Sequence, residues 1–211
     1  MRVLVVESDR RTADKAITDL QAAGHHVVRC HETDLPAFPC NALCDKGTCP
    51  IETQQGVDVV LDYHARPHPK PTAFEDGVSC SLRHHIPLVV AGTSALNPFD
   101  KWTTAIAGDD DIVEACELAA TRPVERLAEP ARAEVRKRLR LQPAVAEQSD
   151  VVVHRSNGQL DATIYLPGEA EETDGSLAVA VAGVLRAHDR FASRVNVAVE
   201  RSKSGPSARQ R

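Results

Sequence analysis

MRVLVVESDRRTADKAITDLQAAGHHVVRC, residues 1–30, decides the fold. Residues 1–6 form a short aliphatic run broken only by Arg2, the pattern of a strand buried on both faces. Ala13, Ala16, Ile17 and Leu20 then recur at helical spacing, with Asp9 or Thr12 placed to cap the start and Gly24 to stop the helix. Residues 26–30 read as a second strand. A strand, a helix and a strand in tight succession open a doubly wound α/β sheet.

Outward from there the rhythm breaks and then resumes. Residues 31–56, HETDLPAFPCNALCDKGTCPIETQQG, carry three prolines and three cysteines where a helix belongs. Residues 57–61 are again apolar apart from Asp58 and end in Asp62. Three prolines at 63–72 make a loop, residues 74–85 suit a helix and 86–91 a fourth strand. Residues 92–102 form another loop, 103–107 a weak strand, and Asp109 to Asp111 begin a helix whose acidic start suits its dipole. This α/β domain is expected to span 1–122, with 31–56 as a Cys-rich insertion.

A second domain is expected over 124–200. Residues 124–141 are helical, restarting at Pro130. Strands at 151–155 and 160–166 meet through Ser156-Asn157-Gly158, a hairpin signal. A helix at 176–189 and a strand at 194–200 follow. The order α-β-β-α-β predicts a small α+β domain with an antiparallel sheet, and 201–211 read as a disordered tail.

The chain has 211 residues, 42% of them hydrophobic and 26% charged, enough apolar content for one or two packed domains. No apolar run approaches the roughly 18–20 residues that cross a bilayer, and Glu7 interrupts the N-terminal run, so neither membrane nor export is expected. A net charge of −5 gives no nucleic-acid bias. Arg132, Arg136, Lys137, Arg138 and Arg140 form a local basic stretch, but Glu125, Glu129 and Glu134 dilute it to a solvated face. Only six of the 25 basic residues are lysine and aromatics are few, a bias that suits a bacterial source.

In open α/β sheets, sites lie outside the carboxyl ends of the strands. Glu7, Ser8 and Asp9 end the first strand and Asp62 the third, so their oxygens are expected at one rim, able to hold Mg²⁺. Here residues 1–122 resemble the receiver domain of bacterial response regulators. RVLVVESD is similar to that family's first strand and acidic pair, VDVVLD to the strand bearing the phosphoacceptor, and IPLVVAGT to the fourth strand. The resemblance implies a flavodoxin-like parallel sheet, a phosphoacceptor at Asp62, and a switch hydroxyl near Thr93 or Ser94. Ser8 replaces one acid of the pair, however, and TTAIAGDDD offers no lysine after the fifth strand, since Lys101 precedes it. That lysine would neutralise a phosphoryl oxygen. The hairpin, helix and last strand of the second domain are similar to alkaline-shock-family domains and to the cytoplasmic domain of cation-diffusion-facilitator transporters, which implies an interaction or dimerisation module.

Cys30, Cys40, Cys44 and Cys49 lie within twenty residues and could make a tetrahedral Zn²⁺ site or an iron–sulfur site, with Cys80 a further ligand if the helix of His84 and His85 lies near. A redox disulfide, or reduced thiols packed as small hydrophobes, are the other readings. Long loops without secondary structure are usually ordered by something. His64 and His68 follow Asp62 closely, and a carboxylate–imidazole metal site is conceivable there; exposed loop histidines are the plainer reading.

The combined expectation is a cytoplasmic, non-enzymatic regulatory or interaction protein on an atypical receiver-like domain, with a protein partner or a second copy as its target. Metal or redox sensing through the cysteines is the second reading and phosphorylation at Asp62 the third. No nucleophile elbow, phosphate-binding glycine loop or catalytic triad supports an enzyme.

Overall fold

The computed structural model describes residues 1–31, 36, 37, 40, 42, 48–53, 55–93, 96–156, 158–168, 174–190 and 192–202. The chain divides into two compact units, Met1–Arg122 and the residues from Pro123 onward, with the short turn Ser156–Gly158 grouped with the first.

In the first unit, β1 (Arg2–Glu7), β2 (His26–Arg29), β3 (Val59–His64), β4 (Leu88–Gly92) and β5 (Ala105–Ala107) form one sheet in the order β2-β1-β3-β4-β5. Every pair is parallel. This is the flavodoxin-like order, and its direction reverses between β1 and β3, where crevices for ligands open in such sheets. Helix α1 (Asp14–Ala22) and helix α3 (Ile112–Thr121) cover one face, packing Ala16, Leu20, Ile112, Cys116 and Ala119 against Val3, Val5, Val59 and Leu61. Gly24, at φ +83°, takes the left-handed turn after α1 that L side chains resist.

The other face is covered by α2 (Asp76–Arg83), entered through a 3-10 turn at Ala73–Glu75, and by residues from the Cys-rich insertion. Val78, Ile51 and Val57 pack there on Leu4, Val6, Val60 and Val90, with Cys30 and Cys49 against the same layer. Among the described residues of the insertion no α-helix occurs; Ile51 of the insertion and Val57 just after it are buried on this face. The helix expected over 74–85 begins as the 3-10 turn because Glu75 closes a capping box on Thr72.

The second unit runs α4 (Glu125–Arg138), α5 (Pro143–Gln148), β6 (Asp150–Ser156), β7 (Gln159–Pro167), α6 (Asp174–His188) and β8 (Arg194–Ser202). Its sheet has the order β6-β7-β8. The expected all-antiparallel sheet is corrected by β8, which pairs parallel with β7. A helical crossover through α6 returns the chain in the same direction, whereas the two-residue link between β6 and β7 suits antiparallel neighbours. Gly158 adopts φ +69° in that link; Asn157 lies outside the described residues. β7 alternates strictly, burying Leu160, Ala162, Ile164 and Leu166 against Leu127, Ala131 and Val135 of α4 and Leu177, Val181 and Leu185 of α6. The expected restart at Pro130 does not occur: Pro130 sits inside a continuous α4, whose buried apolar stripe outweighs the missing N–H. Arg155 and Asp189, both buried, pair with one another. The tail residues 203–211 lie outside the described residues.

Candidate metal centre

The alternation of β1 and β3 determines which strand-end groups can meet. Val6 stands opposite Asp62 and Glu7 opposite Tyr63 in the parallel register. Asp62, like Val6 and Val60, therefore faces α2, while Glu7 faces the α1 side. The expected rim of Glu7, Asp9, Asp62 and Thr93 is not assembled, because neighbouring residues of a strand point to opposite faces. Glu7 Oε2 instead accepts the backbone N–H groups of Thr12 (2.8 Å) and Ala13 (3.4 Å) at the start of α1, and its Oε1 lies 2.5 Å from Arg29 Nη1. Asp9 is held by Arg66 at 2.6 Å, and that hydrogen bond keeps its carboxyl below the usual range despite partial burial. Thr93 contributes its backbone N–H, which donates to the His64 carbonyl at 2.8 Å. Ser94 lies outside the described residues, and Lys101 sits in the 3-10 turn Asp100–Trp102 before β5.

Two residues beyond Asp62 on the same face stands His64. Asp62, His64 and Glu75 are each fully buried. His64 Nε2 lies 2.8 Å from Asp62 Oδ2 and 3.2 Å from Glu75 Oε1. His68, at the start of the Pro-rich loop, stacks its ring on His64 with centroids 4.6 Å apart and brings Nε2 to 3.6 Å from Glu75 Oε1.

Each donor is oriented from behind. Lys70 O can only accept, so the 2.9 Å contact makes His68 Nδ1 the donor and leaves Nε2 of the neutral ring with its lone pair facing the cluster. Thr72 N–H donates to Glu75 Oε2 at 2.5 Å, which turns Oε1 toward the two imidazoles. Gly92 makes the close packing of β4 on His64 possible: at φ +75°, an added Cβ would stand 2.3 Å from the His64 carbonyl oxygen.

The result is one group of His64, His68 and Glu75 whose ligand atoms all lie within 4.8 Å of one another, with Asp62 beside it. Tetrahedral donors about 2.1 Å from a zinc ion lie roughly 3.4 Å apart, so the set is close to a coordination sphere. Asp62 Oδ1, His64 Nδ1, His68 Nε2 and Glu75 Oε1 are all buried with no hydrogen-bond partner. His64 Nε2 makes the ion-pair contact to Glu75 Oε1, while Asp62 Oδ1 and His68 Nε2 are left to be completed by an ion or water. Without an ion, burial works against the His64 imidazolium, but Asp62 and Glu75 outweigh it and raise its pKa to about 9. Burial pushes the Asp62 carboxyl up, against the opposing pull of His64. Glu75 is held below its usual range, burial being outweighed by His64 and the Thr72 N–H.

Among the predicted thiol ligands, Cys30, Cys40 and Cys49 are half-buried free cysteines and Cys44 lies outside the described residues. Cys80 lies on α2, the helix packed on the face to which Cys30 and Cys49 belong. His84 and His85 follow α2, at its C-terminal end. Glu75 was not singled out from the sequence, although Thr72-x-x-Glu75 is the pattern that fixes it. The basic stretch of α4 is neutralised locally: Arg132 pairs with Glu125 and Asp150, and Lys137 and Arg138 pair with Glu134.

No family model and no curated protein matches the sequence. A solved structure of an Aquifex aeolicus Era variant bound to GDP.AlF4- aligns at 10% identity over 95% of this chain and 93% of its own, with a TM-score of 0.28, a likeness too loose to carry an argument. No helix among the described residues is long and apolar enough to cross a membrane.

Proposed function

We propose that this chain is a non-enzymatic, metal-dependent regulatory protein that holds a divalent transition-metal ion of the zinc class at the β1–β3 crevice. His64, His68 and Glu75 are the ligands and an Asp62 oxygen is the fourth donor. The convergence of His64, His68 and Glu75, whose ligand atoms lie within 4.8 Å of one another beside the buried Asp62, carries this reading. Two imidazoles with carboxylate oxygen suit zinc and its neighbours better than calcium or magnesium, which take oxygen alone. Two buried carboxylates and two neutral imidazoles also balance the charge of a divalent ion.

Burial favours a structural or sensory ion over a catalytic one. Of the four side chains only His68 reaches solvent, with 16% exposure, so nothing of substrate size approaches the cluster. Apolar side chains exposed between Leu96 and Ile106, Trp102 among them, border the open edge strand β5 and support a role in partner binding. The ion fixes the loop that joins β3 to α2, and through it the face to which that helix belongs.

The test is titration of chelator-treated protein with Co²⁺ as a spectroscopic stand-in. Wild type gains ligand-field absorption of nitrogen and oxygen coordination. His68→Ala and Glu75→Gln weaken that component by at least about 10–100-fold. A spectrum indifferent to both substitutions refutes the site.

A further inference from the structure

We infer that residues 65–72 form a stiff strap that closes the solvent side of the His64 group, fastened to the turn after β1, and that the strap opens to admit or release the ion. The closure rests on contacts of the strap itself, and the passage of an ion rests on the metal centre proposed above.

Pro67, Pro69 and Pro71 alternate with Arg66, His68 and Lys70. Each proline fixes its own φ and biases the residue before it toward extended backbone, so the whole run from 66 to 71 has little freedom. It therefore moves as one piece. His68 stands in its middle and is the one member of the buried group that reaches solvent, whereas Asp62, His64 and Glu75 are closed off. An ion bound for those three side chains passes where the strap lies.

Both ends of the strap are tied to neighbouring residues of one turn, Ser8 and Asp9. Near its start, Arg66 Nε and Nη2 donate to the two carboxylate oxygens of Asp9, at 3.1 and 2.6 Å, the paired geometry in which a guanidinium grips a carboxylate best. At its end, Thr72 Oγ1 donates to the Ser8 carbonyl at 3.3 Å. The anchor is itself firm: Ser8 is buried, and its N–H donates to the Tyr63 carbonyl of β3 at 3.0 Å. Thr72 N–H also donates to Glu75 Oε2, so the residue that ends the strap orients a ligand as well. The tying atoms of Arg66, Asp9 and Ser8, and Thr72 Oγ1, lie outside the ligand set. Loosening the Arg66–Asp9 tie therefore favours the open strap equally with and without an ion. Entry and release accelerate by one factor while the equilibrium affinity stays the same.

The experiment measures amide hydrogen exchange by NMR in chelator-treated full-length protein, for wild type, Arg66→Ala and the charge swap Asp9→Arg/Arg66→Asp. Arg66 is exposed, so alanine there leaves the fold intact, which unchanged protection of the β4 amides verifies. Exchange of the Thr72 amide, at the far end of the strap from Arg66, is expected to quicken about 3–5-fold in Arg66→Ala and to return to the wild-type rate in the swap. The same proteins are then loaded with Zn²⁺ and mixed with excess chromophoric chelator, following the fraction that wild type binds and His68→Ala does not. Its release quickens by that same factor in Arg66→Ala, with an affinity within about 2-fold of wild type. A Thr72 amide indifferent to Arg66→Ala, or still fast in the swap, refutes the strap. Zn²⁺ release that ignores a quickened amide, or an affinity weakened about 10-fold as for a residue that positions a ligand, refutes the gating. If no Zn²⁺ binding depends on His68, the metal centre falls and the ion's passage with it, and the amide result still decides the strap.

Discussion

Metal-free protein should lose stability on the alkaline side of neutrality, and His64 should be the cause. Its pKa stands at about 9, against an ordinary value of 6.5. A group that holds its proton more tightly folded than unfolded stabilises the fold while protonated. That contribution is complete below the unfolded value of 6.5 and is lost as the pH rises through the folded value of about 9. At about 1.4 kcal/mol per tenfold change in proton affinity, the gap is worth about 3 kcal/mol. The ring is fully buried, so solvent does little to screen it. Of the neighbouring carboxyls, Glu75, held low, gives stability that is lost on the acid side, opposite in sign to His64, whereas Asp62, pushed up by burial, loses stability as its proton leaves, in the same sense as His64. Urea unfolding followed by the fluorescence of Trp102, the single tryptophan and a residue of the first unit, reads the effect. Between about pH 6 and about pH 9.5 the unfolding free energy should fall by about 3 kcal/mol in wild type and stay nearly level in His64→Gln. Saturating Zn²⁺ should reverse the trend, because ligand nitrogens must be deprotonated. Equal stability at both pH values, or the same fall in His64→Gln, would refute the reasoning.

Three substitutions test the frame around the site. Gly92→Ala should destabilise by about 2–4 kcal/mol in denaturant melts, since a positive φ and a 2.3 Å approach to the His64 carbonyl must both be relieved. Glu7→Gln should cost about 1 kcal/mol through Arg29 and the start of α1 yet leave metal affinity unchanged by calorimetry, because Glu7 faces the other side of the sheet. In the second unit, Arg155→Ala should cost about 3–5 kcal/mol by stranding the buried Asp189, whereas Arg155→Met with Asp189→Leu should recover most of it in thermal melts.

Much of the fold was legible in the sequence because aliphatic runs and helical spacing report burial directly. The run of residues 1–6, the stop at Gly24 and the alternation of Leu160, Ala162, Ile164 and Leu166 all correspond to observed elements. The direction of β8 was not legible, since alternation is the same in parallel and antiparallel strands. The continuity of α4 through Pro130 depends on packing that local preference does not contain. At the site, position along the strands misled: Glu7 ends β1 while Asp62 lies two residues before the end of β3, and a one-residue difference in register places them on opposite faces. His64 and His68 could be singled out by their nearness to Asp62, whereas Glu75 required the turn geometry that aims its Oε1 at them.

The most direct measurement is anomalous diffraction at the zinc edge from crystals of the Zn²⁺-loaded protein. A peak about 2.1 Å from His64, His68 and Glu75 is predicted. Anomalous density absent from that cluster, with ordered water bridging Asp62 Oδ1, His68 Nε2 and Glu75 Oε1 in its place, would contradict the metal centre.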